Sequence, residues 1–232
     1  MKHYSFSEEL SQEGGQLNFL AEVGDVVIEG ENGRFLTIEA ELEGMTIEVH
    51  RQDDIVTVRV EQEEQAVLEK IARLFTSPRT KAKVTVRVPD ACAINAKTIT
   101  GRMRLRNLGG PIATTVITGE NSLADLAGPI DARVTTGNLT YAGALSPEQH
   151  RFAVITGSIT LALTEEPNGR LHARALTGDV RCDFPLAEAS VKQAIPGKQL
   201  RGILGDGSGR LDLRVTTGNL RLKLEREDAL QL

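Results

Sequence analysis

The sequence predicts an all-β protein, a parallel β-solenoid or β-helix-like stack of repeats. The first observation is a Thr-Gly pair that recurs along the chain, with its glycines at positions 101, 119, 137, 157, 178 and 218. The second is the spacing of these glycines, which is 18 residues for two steps, then 20 and 21, with a final gap of 40. The third is the alternation of apolar and polar residues on both sides of each glycine, which is typical of β-strands.

Equivalent positions in the repeats carry similar residues. Positions two and four places after each glycine, and three places before it, are mostly apolar, and Thr immediately precedes every glycine. Because residues two apart on a strand share a face, we expect these columns to face the core, with a glycine corner between two strands. Thr136 and Leu139 on either side of Gly137 are thus both predicted to point inward. The alternative is a sandwich of antiparallel hairpins, which would not require a fixed 18-residue register.

The first part of the chain is less regular. Residues 1–16 are polar and predicted to be an irregular lead-in. Alternating apolar residues then predict four strands, at residues 17–30, 35–42, 45–49 and 55–60. Residues 61–77 break this pattern with apolar side chains at helical spacing (Val67, Ile71, Leu74 and Phe75), which predicts a short amphipathic helix. We expect this helix to cover an open end or edge of the stack, and the alternative is a helix that docks a partner.

Two domains follow from this division. Residues 1–82 would hold the N-terminal strands and the capping helix, continuous with the stack, and residues 83–232 would form the repeat solenoid. Within the second domain, Asp183–Gly209 is rich in Pro and Gly and is predicted to be an irregular rung or a long excursion.

Composition and charge exclude several classes of protein. The chain has 32 acidic and 27 basic residues, a net charge of −5, which does not favour nucleic acid as a partner. Cys92 and Cys182 lie in apolar surroundings and form no CxxC pair, so buried thiols are expected rather than a disulfide. The sequence contains neither the apolar core of a signal peptide nor a membrane-spanning run, so we expect a cytoplasmic protein.

No motif for catalysis, cofactor binding or metal binding is found. The four histidines lack metal-ligand spacing, and outward positions after the corner glycines do not form a carboxylate cluster. The segment Asp206-Gly207-Ser208-Gly209 resembles half of a calcium loop but is more typical of a tight turn. We therefore expect a non-enzymatic protein without cofactor or metal, and no catalytic residues. A divergent lyase or hydrolase would require a cleft with converging carboxylates.

Basic residues four places before the glycines form the candidate binding site. They should align along one outer face, interrupted by Thr115 and Ala153, with three further arginines nearby, and an anionic glycan or phosphate chain could bind there. The alternative is a surface of salt bridges, because Asp131 and Asp212 stand two places from two of these residues. The four candidate residues are Lys97, Arg133, Arg174 and Arg214, and the nearby arginines are Arg102, Arg104 and Arg106.

The threonine column suggests a further alternative. Outward arrays of threonine on some solenoids match flat surfaces such as ice. Here the neighbouring outward positions are mixed and the threonines are predicted to face inward, where their hydroxyls would bond to one another or to the corner backbone.

The chain resembles the bacterial putative-adhesin β-strand-repeat family, a domain of unknown function. The resemblance rests on corners of the type Ser/Thr-Gly-Asp/Asn-Val/Ile/Leu and on the tail Leu200–Gly209 followed by Arg210–Leu224. It covers residues 17–30 and 84–225, and Gly24-Asp25-Val26 matches the corner only in part, with Val23 in place of Thr. The full corners are Thr136-Gly137-Asn138-Leu139, Thr177-Gly178-Asp179-Val180 and Thr217-Gly218-Asn219-Leu220.

The resemblance implies a β-solenoid-like fold and an adhesin-like role, although the sequence shows no export signal. Our leading expectation is a non-enzymatic scaffold or interaction protein that acts by self-association or surface binding, with a link to envelope stress. Its partner would be a second copy or another protein. The alternative is an adhesin-like module that binds an anionic polysaccharide.

Overall fold

The computed structural model describes residues 2–10, 15–63, 81–193 and 197–225. Within these ranges all regular secondary structure is β-strand, and sixteen strands belong to one sheet. The strands are β1 (Lys2–Glu9), β2 (Gln16–Glu31), β3 (Phe35–Glu43), β4 (Met45–Gln52), β5 (Ile55–Gln62), β6 (Lys81–Pro89), β7 (Ala93–Leu108), β8 (Ile112–Leu126), β9 (Ile130–Gly143), β10 (Gln149–Leu163), β11 (Gly169–Thr177), β12 (Val180–Cys182), β13 (Ala187–Gln193), β14 (Lys198–Leu204), β15 (Gly209–Thr217) and β16 (Leu220–Leu224).

Five long strands form the parallel centre of the sheet. The order is β2-β7-β8-β9-β10, and each strand pairs with the next along both of its halves. The repeats align residue for residue, so that Gly101 pairs with Gly119 and Gly119 with Gly137. The register predicted from the glycine spacing is therefore confirmed for these strands.

Each long strand bends at its glycine into a first half and a second half. Gly137 shows why this residue is required, since its φ is +136° and an added Cβ would lie 1.7 Å from the carbonyl oxygen of Gly119. Other residues are excluded by both the backbone conformation and the close stacking of the corners. The corner glycines thus let successive rungs approach closely.

The columns that alternate toward the interior fill one hydrophobic core. Leu139 and Tyr141 after one corner, and Val134 before it, are each at most 2% exposed. The equivalent residues of the other full-length repeats are also buried, whereas Val180 and Cys182 on the short strand β12 are only partly covered. The predicted apolar columns are confirmed, and they lie between the two halves of each rung.

The threonine column does not follow the prediction. Thr136 and its equivalents are exposed, although strand alternation placed them inward. The alternation fails because the backbone bends at the next residue, where the two halves of the rung diverge, so the preceding side chain points to solvent at the corner. These exposed threonines pair in register along the corner: Thr100, Thr118, Thr136, Thr156, Thr217 and Thr177.

The N-terminal end of the sheet is antiparallel. Strands β5 and β6 pair in parallel with the first and second halves of β2, and then β4, β3 and β1 add antiparallel strands outside them. Residues 2–9 therefore form a strand, which corrects the predicted irregular lead-in. Of the helix predicted at 61–77, Glu61 and Gln62 belong to β5, and residues 64–77 lie outside the described residues.

The C-terminal rungs are stacked out of chain order. Strands β15 and β16 lie directly beside β10, and β11 and β12 lie beyond them. The segment Asp183–Gly209, predicted to be an irregular rung or a long excursion, contains an antiparallel hairpin, β13 and β14, that pairs with β11. The sheet is consequently mixed, parallel in the centre and antiparallel at both ends. No helix in the described part of the chain has the length and apolar character needed to cross a membrane.

Candidate functional site

The outer surface of β10, β15, β11 and β14 carries a dense group of arginines, which we call the arginine face. It consists of six arginines whose side chains share one side of these four adjacent strands, with one carboxylate, Asp212, among them. The described outward side chains of these strands therefore carry a net of five positive charges. The six residues are Arg151, Arg170, Arg174, Arg201, Arg210 and Arg214.

The stacking of β15 between β10 and β11 creates this face. Arg210 lies opposite Arg170 in the register, and Arg214 lies opposite Arg174. Neighbouring strands are about 4.8 Å apart, so each of these is a close pair of like charges. Arg201 is brought alongside by the antiparallel strand β14, where it lies opposite His172.

Asp212 is the central carboxylate of the arginine face. Its side chain is only 1% exposed and accepts hydrogen bonds from Nε and one terminal nitrogen of Arg214, at 2.9 and 2.8 Å. This ion pair raises the pKa of Arg214, mainly through the side-chain hydrogen bond to Asp212. A charge buried this deeply needs an oppositely charged partner, so Arg214 holds Asp212 in place.

Four of the six arginines keep their charge available. In the described ranges, no carboxylate oxygen lies within 4.0 Å of Arg170, Arg174, Arg201 or Arg210. Arg151 makes only a long contact of 3.9 Å with Asp131 on β9. The arginine face is thus under-neutralised.

His172 and Gln199 connect two parts of the arginine face. With its amide oriented so that Oε1 faces Arg201, Gln199 accepts hydrogen bonds of 2.9 Å from Arg201 and of 2.7 Å from Nε2 of His172. Partial burial lowers the pKa of His172, and nearby positive charges, including that of Arg201, lower it further against the opposing effect of Asp212. At neutral pH this histidine is therefore uncharged.

The structure places the four predicted binding residues in one column of the sheet. The order is Lys97, Thr115, Arg133, Ala153, Arg214, Arg174. Arg174 and Arg214 are neighbours, but Thr115 separates Lys97 from Arg133, and Ala153 separates Arg133 from Arg214. Arg133 is also engaged by Asp131 at 3.0 and 2.8 Å, as the salt-bridge alternative predicted. A binding role for the column stays a prediction.

Sequence reasoning missed four residues of the arginine face: Arg151, Arg170, Arg201 and Arg210. A local signal for two of them exists, because the chain reads Arg-Leu-His-Ala-Arg at 170–174 and Arg-Leu-Asp-Leu-Arg at 210–214, with both arginines of each segment on one strand face. No comparable signal identifies Arg201, whose position depends on the hairpin formed by β13 and β14.

The three arginines predicted to lie near the four candidate binding residues are on another surface. Arg102, Arg104 and Arg106 follow the corner at Gly101 and belong to the second half of β7. Arg102 pairs with Asp25 at 3.1 Å and Arg106 with Glu29 at 2.9 Å. They therefore do not extend the arginine face.

A shallow groove of about 470 Å³ begins beside Arg151 and crosses the first residues of β10, β9, β8 and β7. Its lining combines apolar side chains such as Ile112 with polar groups such as Asn95 and Gln149. An extended ligand on the arginine face could continue into this groove.

The described residues contain no group of three or more His, Cys, Asp or Glu side chains that could hold a metal ion. Both cysteines are free, and burial raises the pKa of Cys92 to about 12 and also raises that of Cys182. In the Asp206 turn the carboxylate accepts a 2.9 Å hydrogen bond from the backbone N–H of Ser208. This hydrogen bond within the segment is typical of a tight turn, which the sequence also favoured over a calcium loop.

No family model matches the sequence, and no curated protein matches it. Among solved structures, the chain is similar to a putative cell adhesion protein from Clostridium sporogenes, with 12% identity, a TM-score of 0.43 and coverage of 97% of this chain and 100% of that one. It is also similar to a putative adhesin from Bacteroides fragilis, with 9% identity, a TM-score of 0.29 and coverage of 95% of this chain and 97% of that one. A putative adhesin from Parabacteroides distasonis has 12% identity, a TM-score of 0.23 and coverage of 96% of this chain and 94% of that one. At these TM-scores the likenesses carry no argument about function.

Proposed function

We propose that the chain is a non-enzymatic, solenoid-like β-repeat scaffold that binds an anionic polysaccharide through the arginine face. The observation that carries the proposal is the concentration of six arginines and one buried aspartate on four adjacent strands of a chain whose net charge is −5. Positive charge collected on one surface of an acidic protein attracts polyanions locally.

The shape of the surface favours a polymer over a small anion. The arginine face is the outside of a hydrogen-bonded sheet, so its side chains stand on a rigid grid and do not surround a closed pocket. The Arg210–Arg170 and Arg214–Arg174 pairs lie four residues apart along their strands, about 13 Å. An extended chain of negative groups can contact both pairs at once.

A polysaccharide fits this surface better than nucleic acid. Apart from the imidazole of His172, the described outward side chains of the arginine face include no aromatic ring on which a base could stack. Carboxylate or sulfate groups of a glycan need only guanidinium groups, which form paired hydrogen bonds with such anions.

The alternative is that carboxylates on the same surface neutralise the positive charges of its arginines. That description fits Arg133 with Asp131 and Arg214 with Asp212. It does not fit Arg170 and Arg174, which keep no such partner in the described ranges. Isolated surface ion pairs contribute at most about 1 kcal/mol. The four available arginines are therefore the residues on which binding depends.

A charge-reversal experiment tests the proposal. Arg170→Glu/Arg174→Glu should weaken binding to immobilised heparin or polygalacturonate by about tenfold or more, because two attractive contacts become repulsive. The matched control is Arg59→Glu/Arg104→Glu, which makes the same charge change at exposed arginines outside the face. Equal loss in both variants, or no loss in either, would contradict the proposal, and stronger binding to single-stranded DNA would redirect it to nucleic acid.

A further inference from the structure

We propose that a second copy of the chain pairs antiparallel with strand β1 and joins the two sheets edge to edge. A strand at the edge of a sheet presents unpaired backbone groups that can bind another strand. Within the described residues β1 pairs only with β3, so its other side is such an edge. The inference does not depend on the arginine face.

The other sheet edges carry features that oppose pairing. Strand β13 has a register shift between Ala187 and Ser190, and Glu188 there has a φ of 52°, which marks a bulge. Strand β12 has three residues. Strand β4 carries three charged or titratable side chains at exposed positions near its end: Glu48, His50 and Arg51.

Strand β1 has none of these protections in its centre. Its eight residues pair with β3 in a continuous register, without a bulge. Its central segment, Tyr4–Ser7, contains no charged side chain and no proline. Tyr4 and Phe6 are half-buried and pack against the core, so an added strand would extend an apolar surface that already exists.

The charges of β1 select an antiparallel second copy. The strand begins with Lys2 and His3 and ends with Glu8 and Glu9. A parallel copy would place the acidic ends together, and like charges on neighbouring strands are destabilising. An antiparallel copy places the basic end of each strand beside the acidic end of the other.

Symmetry restricts the pairing to two central registers. A two-fold axis perpendicular to the sheet keeps inward side chains on the same side in both copies, so even-numbered residues face even-numbered residues. In one register Phe6 faces Phe6 of the second copy, and His3 faces Glu9. In the other, Ser5 faces Ser5, and Lys2 faces Glu8. The second register pairs opposite charges, although its Lys2 and Glu8 would be shared with Glu63 and Arg51 of their own chain. The first register places the imidazole of His3, which can donate a hydrogen bond, opposite the carboxylate of Glu9.

Analytical ultracentrifugation over a concentration series tests the inference. The wild-type chain should show a monomer–dimer equilibrium, and Ser5→Lys/Ser7→Lys should weaken dimerisation by about tenfold, because both registers then oppose like charges. Both serines are exposed and point away from the core, so the monomer should still fold. The control is Thr46→Lys, an exposed residue of the edge strand β4, which should leave the dimer unchanged.

Cysteine cross-linking gives a positive test of geometry. Directly opposite residues of an antiparallel pair have Cα atoms about 4.5 to 5.5 Å apart, within the range of a disulfide. A Ser5→Cys chain should cross-link to itself in the Ser5–Ser5 register, and mixed Ser5→Cys and Ser7→Cys chains in the other. A wild-type monomer at every concentration, or a dimer that neither cross-links nor responds to the lysines, would overturn the inference. Loss of dimer with intact heparin binding would leave the proposed function standing.

Discussion

Nδ2 of Asn121 donates a 2.7 Å hydrogen bond to Oγ1 of Thr114 inside the hydrophobic core. Both residues belong to β8, on opposite sides of its corner glycine, so the bond joins the two halves of one rung. Asn121 occupies a column that neighbouring rungs fill with Met103 and Leu139. Its Oδ1 has no hydrogen-bond partner among the described residues.

This pair predicts an asymmetric response to substitution. Thr114→Val should lower the free energy of unfolding by about 1 to 3 kcal/mol, because it leaves the buried Asn121 amide without an acceptor. Thr114→Val/Asn121→Leu should recover the loss and reach or exceed wild-type stability, since both polar groups are then gone. Urea unfolding of the two single variants and the double variant gives the coupling energy. Purely additive effects would show that the hydrogen bond is not the relevant interaction.

The corner glycines predict a second stability difference. Gly137→Ala should cost several kcal/mol or prevent folding, because the new Cβ would clash with the Gly119 carbonyl oxygen in addition to straining the backbone. The matched control is Gly33→Ala, where φ is +149° but no atom lies within 4 Å of the added Cβ. That variant isolates the backbone strain, about 1 to 3 kcal/mol. Similar thermal unfolding of both variants would mean that corner stacking contributes little.

The repeat register and the apolar columns could be predicted from the sequence because each depends on local spacing. The order of the rungs could not. Segments 170–174 and 210–214 present the same pattern of side chains to a neighbouring strand, so either could stack on β10. Long-range pairing decides between them, and that choice creates the arginine face. The outward position of Thr136 was also missed, because alternation along a strand does not account for a bend at the next residue.

His150 should make the protein less stable in acid. It is 2% exposed, its Nε2 lies 2.8 Å from the carbonyl oxygen of Ser146, and its Nδ1 has no partner in the described structure. Burial lowers the pKa of His150, against the opposing effects of Ser146 and Glu148. The unfolded chain therefore takes up the proton more readily, so stability is retained above about pH 6.5 and falls as pH decreases toward the lower pKa of the folded state.

Urea midpoints at pH 7 and pH 5 measure this effect. His150→Gln keeps a donor for the Ser146 carbonyl but cannot be protonated, so it should show a smaller difference between the two midpoints. His50→Gln, at an exposed position of β4, is the control and should behave as wild type. An unchanged pH dependence in His150→Gln would rule out this histidine as the titrating group.

His172 should make polyanion binding stronger at lower pH. Partial burial and the surrounding arginines lower its pKa, so it is neutral at pH 7 and becomes charged only in more acidic solution. Protonation adds a positive charge to the centre of the arginine face, and affinity for heparin should rise by about two- to fivefold as pH falls through that pKa. A sulfated polymer is the appropriate ligand because its charge stays constant over this range. His172→Gln should bind heparin with the same affinity at pH 7 and pH 5, whereas the His50→Gln control should keep the wild-type increase. A rise that persists in His172→Gln would show that another group is responsible.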